Sequence, residues 1–308
     1  MRIWCSAAFL TGVWLPAALA GQQAPAPCLE RPAADRAYTR VRLLSLVADQ
    51  GPNRAAYLIR TCGVRVPFTK ELEADLREAG AEESVIAAVR EVATKPAVPS
   101  PRIGDVKVNP KDGDRYVWIP PGSFSMGCSP GDSECYDDEK PAKQVTISRG
   151  FWMGETEVTQ ETYERVTGTN PSSFKGARLP VETLSWDQAN GYCAGVGMKL
   201  PSESDWEYAA RGGSLGPRYG ELDAIAWYSG NSGGRTRDVR LKQANAYGLY
   251  DMLGNVWEWT ASWYEEGKTK VLRGASWNGN PRYLRVSGRY RHGPAGRDVK
   301  IGFRCVGE

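Results

Sequence analysis

The residues best equipped for chemistry sit in one stretch, Gly248-Leu249-Tyr250-Asp251-Met252-Leu253-Gly254-Asn255-Val256-Trp257-Glu258-Trp259. Asp251, Asn255 and Glu258 are oxygen donors set among core-type residues, Leu249, Met252, Leu253, Val256, Trp257 and Trp259. Gly248 and Gly254 let the backbone turn or approach closely. Hard cations such as calcium take carboxylate, amide and backbone carbonyl oxygens. Asp251 and Glu258, with a carbonyl of Gly254 or Val256 between them, could wrap one ion. The plainer alternative is a tight buried turn whose polar side chains are satisfied by the backbone.

Other chemistries find little to work with. There is a single histidine, His292, so a multi-histidine iron site cannot be built. No GxSxG serine accompanies it, and no paired CxxC marks a zinc site. The acidic loop from Cys128 to Lys140, with Asp132, Glu134, Asp137, Asp138 and Glu139, reads as a solvated surface loop, a second metal site being the other option. A net charge of +3 gives no general argument for nucleic acid.

The elements that position these residues fall into two domains, as 308 residues suggest. Met1-Arg2, an apolar run to Leu19 and the small residues Ala18 and Ala20 predict a signal peptide over 1–20, hence export to the periplasm, cell surface or medium. Ser6, Thr11, Gly12 and Pro16 interrupt the run and favour cleavage over a membrane anchor, and no other stretch is apolar enough to span a bilayer. Six cysteines then remain, Cys28, Cys62, Cys128, Cys135, Cys193 and Cys305, and an even count suggests three disulfides. Cys28 and Cys62 share the N-terminal region and Cys128 and Cys135 flank one loop. That leaves Cys193 with Cys305.

Residues 28–94 read as a small all-α module of four amphipathic helices. Apolar clusters at Val41 to Val47 and Ala55 to Ile59 end at Gly51-Pro52 and Cys62-Gly63. Thr69 caps the third helix, which Gly80 stops, and Val85, Ile86 and Val89 face inward in the fourth. Residues 95–111, with Pro96, Pro99, Pro101 and Pro110, read as an extended linker. Beyond it, 112–308 is rich in Gly and Trp and loops more than it coils. Strands are expected at Tyr116 to Gly127, broken by a turn, and at Val145 to Trp152. Helices are expected after Val158, after Ser185 and after the capping box Ser202 to Asp205. Thr260 to Tyr264 reads as an edge.

The segments 116–127, 157–163, 179–186, 199–213, 247–259, 273–277 and 301–306 together resemble the formylglycine-generating-enzyme (sulfatase-modifying-factor) family, in its order. The resemblance implies an α+β fold of C-type-lectin kind with little regular secondary structure. It implies a Cys193–Cys305 disulfide and a calcium site of Asp251, Gly254, Val256 and Glu258. The family's second calcium site uses an Asn before a Trp, where Ile225 and Ala226 stand here, and is not carried over. Enzymes of the family oxidise a sulfatase cysteine with two cysteines of their own, two and seven places after the residue matching Trp277. Those places hold Gly279 and Leu284, which neither ligate copper nor exchange disulfides. No copper or iron is expected, and the known family chemistries are absent.

The tail from Gly274 to Lys300 has a distinct texture. A frame of Arg273, Gly274, Ser276, Trp277, Pro281, Leu284, Arg285, Arg289 and Pro294 is filled by small or polar residues reachable from asparagine-type codons by changing adenines. That resembles the variable region of proteins diversified by retroelements, some of which display it on this fold. The candidate ligand face is Asn278, Asn280, Arg282, Tyr283, Arg285, Ser287, Tyr290, His292 and Asp298, in the Tyr-, Ser-, Asn- and Arg-rich style of adaptable recognition surfaces. A protein or glycan partner is expected, and the tail arginines also suit an anionic one. The alternatives are an ordinary loop drifting free of the copper site, an enzyme with altered oxidative chemistry on the same scaffold, and an envelope assembly protein served by its helical module.

Overall fold

The computed structural model describes residues 38–64, 66–94 and 101–308, in two units that divide between Val98 and Pro99. The expected signal peptide, Cys28 and residues 95–100 of the expected linker lie outside the described residues. Among the described residues no helix is long and apolar enough to cross a membrane.

The N-terminal unit holds four helices: α1 (Arg40–Asp49), α2 (Pro52–Cys62), α3 (Lys70–Glu78) and α4 (Glu83–Thr94). Their ends follow local chemistry. Pro52 opens α2, where its missing N–H costs nothing, and Thr69 Oγ1 accepts the Leu72 N–H at 3.2 Å. Leu43, Ile59, Leu76, Ile86 and Val89 form the core. Val41, expected inside, is 75% exposed, because it lies on the opposite helix face from Leu43 and Val47.

The C-terminal unit runs through β1 (Val106–Val108), β2 (Arg115–Ile119), β3 (Gly122–Met126), β4 (Lys143–Ile147) and β5 (Phe151–Gly154). Helices α5 (Gln160–Thr167), α6 (Trp186–Gly195), α7 (Glu203–Arg211) and α8 (Leu222–Ile225) follow, then β6 (Ala226–Trp227), β7 (Leu253–Gly254), β8 (Trp257–Glu265), β9 (Thr269–Arg273), β10 (Arg289–His292), β11 (Ile301–Gly302) and β12 (Val306–Gly307). Two four-stranded sheets form, in the orders β1-β2-β5-β12 and β10-β9-β8-β11. Capping boxes at Ser185/Gln188 and Ser202/Asp205 start α6 and α7.

Several strands differ from expectation. Residues 106–108 pair antiparallel with β2 inside the expected linker, since the prolines flank that segment without interrupting it. β2 and β3 are not partners: β2 pairs with β5 and β3 with β4. The run expected as one strand over 145–152 is two, parted at Gly150, where a Cβ would lie 2.2 Å from the Trp118 ring. β11 pairs with β8 only at Trp257 and Glu258, so residues 260–264 have β9 as their strand neighbour on one side alone, as an edge would. The Cys193–Cys305 bridge joins α6 to the strand end 112 residues away, a closure of about 4–5 kcal/mol in the chain-entropy model. The Cys128–Cys135 bridge closes the acidic loop.

Candidate functional site

The Gly248–Trp259 turn is built on left-handed backbone. Asp251 and Asn255 both have φ of 55°, and Gly254 has φ of 86°. At Gly254 any side chain is excluded, because a Cβ would stand 2.2 Å from the Trp227 carbonyl. Asn255 acts as a cross-link: its Nδ2 donates to Glu157 Oε2 at 2.8 Å and its Oδ1 accepts the Arg237 N–H at 3.0 Å. Glu157 Oε1 in turn accepts the Val256 N–H at 3.1 Å.

Glu258 is held by the chain itself. Arg304 donates from Nε to Oε2 at 2.9 Å and from Nη2 to Oε1 at 2.8 Å, and Trp206 Nε1 donates to Oε2 at 2.7 Å. Arg304 also donates to the carbonyls of Gly154 and Tyr250, at 3.1 and 2.9 Å. Asp251 Oδ2 accepts the Arg240 N–H at 2.7 Å, while its Oδ1 is buried with no hydrogen-bond partner. Burial, then the Asp251 and Glu258 charges, push the Glu157 carboxyl well above its usual range. Burial pushes Asp251 up to about 6, against the pull of the Arg240 N–H and Arg304.

Of the three buried carboxylates, Glu258 alone pairs with the Arg304 guanidinium, while Glu157 and Asp251 are held by backbone and amide N–H groups. Isolated buried charge is costly, and the orphaned Asp251 Oδ1 is the oxygen left free to meet a hard cation. Of the four expected ligands, Asp251 fits best. Glu258 joins only by sharing oxygens that Arg304 and Trp206 already occupy.

The two positions that hold cysteines in the family's enzymes are neighbours here. A Cβ on Gly279 would stand 3.3 Å from Leu284 Cδ1 and 2.9 Å from the Ser276 carbonyl. Leu284 is fully buried.

The tail separates into a buried frame and an outward face. Arg273 donates from Nη1 to the carbonyls of Ser287 and Gly288, at 2.7 and 2.6 Å, and pairs with Glu207. Arg285 is 0% exposed and donates to both oxygens of Glu139 at 2.5 Å and to Asp132 at 3.1 Å. Arg285 and Ser287, expected on the ligand face, are therefore framework: both are buried, and Arg285 holds the acidic loop. Ala275, Val286 and Gly288 are buried too, which removes them from any varied surface. Asp298 is half-buried and caps the Lys300 N–H at 3.0 Å.

Asn278, Asn280, Arg282 and Tyr290 are exposed, and Tyr283 and His292 half-buried. Asn280 Oδ1 accepts the Arg282 N–H at 3.0 Å and opens a short 3-10 turn. An aromatic column runs beneath: Tyr136 stacks on Tyr283 at 5.4 Å, Tyr283 meets Trp257 edge-on at 6.3 Å, and Trp257 stacks on Tyr290 at 5.6 Å. The Arg282 guanidinium covers Tyr136 at 4.0 Å. Sequence reasoning missed Tyr136 and Trp257 as parts of this face. Tyr136 follows a cysteine in an acidic loop and gave no signal. Trp257 read only as core.

Residues 102–308 match the family described as the sulfatase-modifying factor enzyme 1-like domain. The inactive C-alpha-formylglycine-generating enzyme 2 of Mus musculus is 40% identical over 171 residues, 48% of this chain and 56% of that protein. The chain spans about half the length of the curated relatives it matches. Among solved structures, PvdO from Pseudomonas aeruginosa superposes with a TM-score of 0.62 at 28% identity, covering 68% of this chain and 100% of that one. Treponema denticola variable protein 1 superposes with a TM-score of 0.58 at 27% identity, covering 66% and 98%.

Proposed function

Because the chain belongs to the sulfatase-modifying factor enzyme 1-like family, we propose that it is a ligand-binding member of it, without the copper–cysteine chemistry of the family's enzymes. The observation that carries the proposal is the split within the tail. Gly279 and Leu284 stand where cysteines would be needed, and Leu284 is buried. Around them a rigid frame of buried arginines and backbone carries an exposed set of Asn278, Asn280, Arg282 and Tyr290. Tyr and Arg supply anchors at low entropic cost, and asparagines supply adaptable hydrogen bonds. The partner is a protein or a glycan.

Export is part of the same proposal and is supported by the Cys128–Cys135 and Cys193–Cys305 bridges, which suit an oxidising compartment. Calcium at the Asp251 turn is supported by the orphaned Oδ1. The test of recognition is binding that depends on Asn280 and Tyr290. A retroelement origin for the face is tested in the coding DNA. A neighbouring near-copy of the segment for 273–306, differing only at adenines and lying beside a reverse transcriptase gene, supports it. Absence of both makes the face a fixed one.

A further inference from the structure

The Cys128–Cys135 bridge belongs neither to the Asp251 turn nor to the tail, yet it touches the tail's frame. Cys128 is half-buried and Cys135 is 5% exposed. Arg285 Nη1 donates toward Cys135 Sγ at 3.4 Å, and Asp132 Oδ2 lies 3.2 Å from the same sulfur. The Cys193–Cys305 bridge is sealed by comparison, its cysteines 0% and 1% exposed. Thiol exchange depends on access to the attacked sulfur and on stabilisation of the departing one. Here the more exposed cysteine is Cys128 and the departing sulfur is the one facing a guanidinium.

We propose that Cys128–Cys135 is a reactive disulfide, opened by dithiols ahead of the Cys193–Cys305 bridge, and that its redox state sets the loop walling the tail face. A thiolate of the dithiol attacks Cys128 Sγ. The S–S bond breaks, and Cys135 leaves as a thiolate beside Arg285, then takes a proton from solvent. The second thiol of the reagent resolves the mixed disulfide, releasing Cys128 as a thiol and leaving the reagent as its own disulfide. Two electrons pass to the protein. The loop so freed carries the Glu134 carbonyl, which accepts from Arg282 Nε at 2.9 Å, and the Tyr136 ring stacked on Tyr283. Opening the bridge loosens both contacts.

The experiment uses the full-length chain, graded dithiothreitol, alkylation and peptide mass spectrometry. Cys128 and Cys135 are expected to label about tenfold faster than Cys193 and Cys305 while near-UV circular dichroism stays native. Hydrogen exchange then rises in 129–139 and 282–290. Two variants separate electrostatics from loosening. Arg285→Gln slows opening, because the departing thiolate loses its donor. Asp132→Asn speeds it, because a negative charge leaves the sulfur. A purely structural effect would speed both. If Arg285→Gln does not fold, Arg285→Lys, which keeps a cation beside Cys135, takes its place, and the wild-type comparison of the two bridges still decides whether Cys128–Cys135 opens first. The proposal is overturned if both bridges open together, if opening needs global unfolding, or if Asp132→Asn leaves the rate unchanged. None of these readouts depends on a ligand.

Discussion

Truncating Arg285 to alanine separates frame from face most sharply. Its guanidinium is 0% exposed and lies between Glu139, also 0% exposed at the side chain, and Asp132, 5% exposed. Removing it strands both carboxylates in the interior, and breaking a buried pair in this way costs about 3–5 kcal/mol. In a unit of this size that corresponds to a fall on the order of 10 °C in melting temperature. Tyr290→Ala touches a side chain that is 50% exposed and is expected to cost less than about 1 kcal/mol. Tryptophan fluorescence in urea reads the right unit, since every tryptophan after residue 14 lies beyond residue 112. The Glu139 pair adds a signature in acid. Burial pushes its carboxyl up, but the Arg285 pairing prevails and holds it below its ordinary 4.5. A depressed folded value means stability that is present above pH 4.5 and lost as pH falls through that lower value. Wild type therefore weakens in acid more steeply than Arg285→Ala. A loss under about 1 kcal/mol for Arg285→Ala would refute the assignment of this residue to the frame.

Further outcomes are expected. Asp114 sits by a cleft of about 450 Å³ and accepts from Thr162 Oγ1 at 2.8 Å, and burial raises its carboxyl from 3.8 to about 6. It keeps a proton in the fold that it loses in the unfolded chain, so its contribution is full below about pH 4 and lost as pH rises through about 6. Asp114→Asn is then more stable than wild type at pH 7.5 by on the order of 1–2 kcal/mol, and not at pH 4, as urea midpoints will report. Chelation is expected to lower the melting temperature through the Asp251 turn, and Asp251→Asn to abolish that response. Glu258→Gln is the poorer probe, because it weakens the Arg304 pairing with or without an ion. Gly279→Cys is expected to destabilise, its Cβ being 2.9 Å from the Ser276 carbonyl, and to bind no copper in metal analysis.

What the sequence made legible is local. Thr69, the Ser185/Gln188 pair and the Ser202/Asp205 pair mark helix starts because a cap is satisfied within three residues of itself. The Asp251 turn was legible because glycines and oxygen donors interrupt an apolar run. Strand partners were not, since β2 pairs with β1, inside what read as linker, and with β5, beyond the β3–β4 pair, while β11 meets β8 only at Trp257 and Glu258. The buried arginines were least legible. Arg273, Arg285 and Arg304 find Glu207, Glu139 and Glu258 at separations of 66, 146 and 46 residues. Charged residues are ordinarily exposed unless so paired, so Arg285 read as a ligand anchor until its partner was seen.

The most direct test is binding to a combined glycan and surface-protein array, wild type against an Asn280→Ala/Tyr290→Ala double variant with an unchanged urea midpoint. A recognition face requires discrete wild-type signals that fall at least about tenfold in the double variant, a loss of about 1.4 kcal/mol. Equal signals from the two proteins would contradict it, and turnover of an array component would move the chain back among the enzymes.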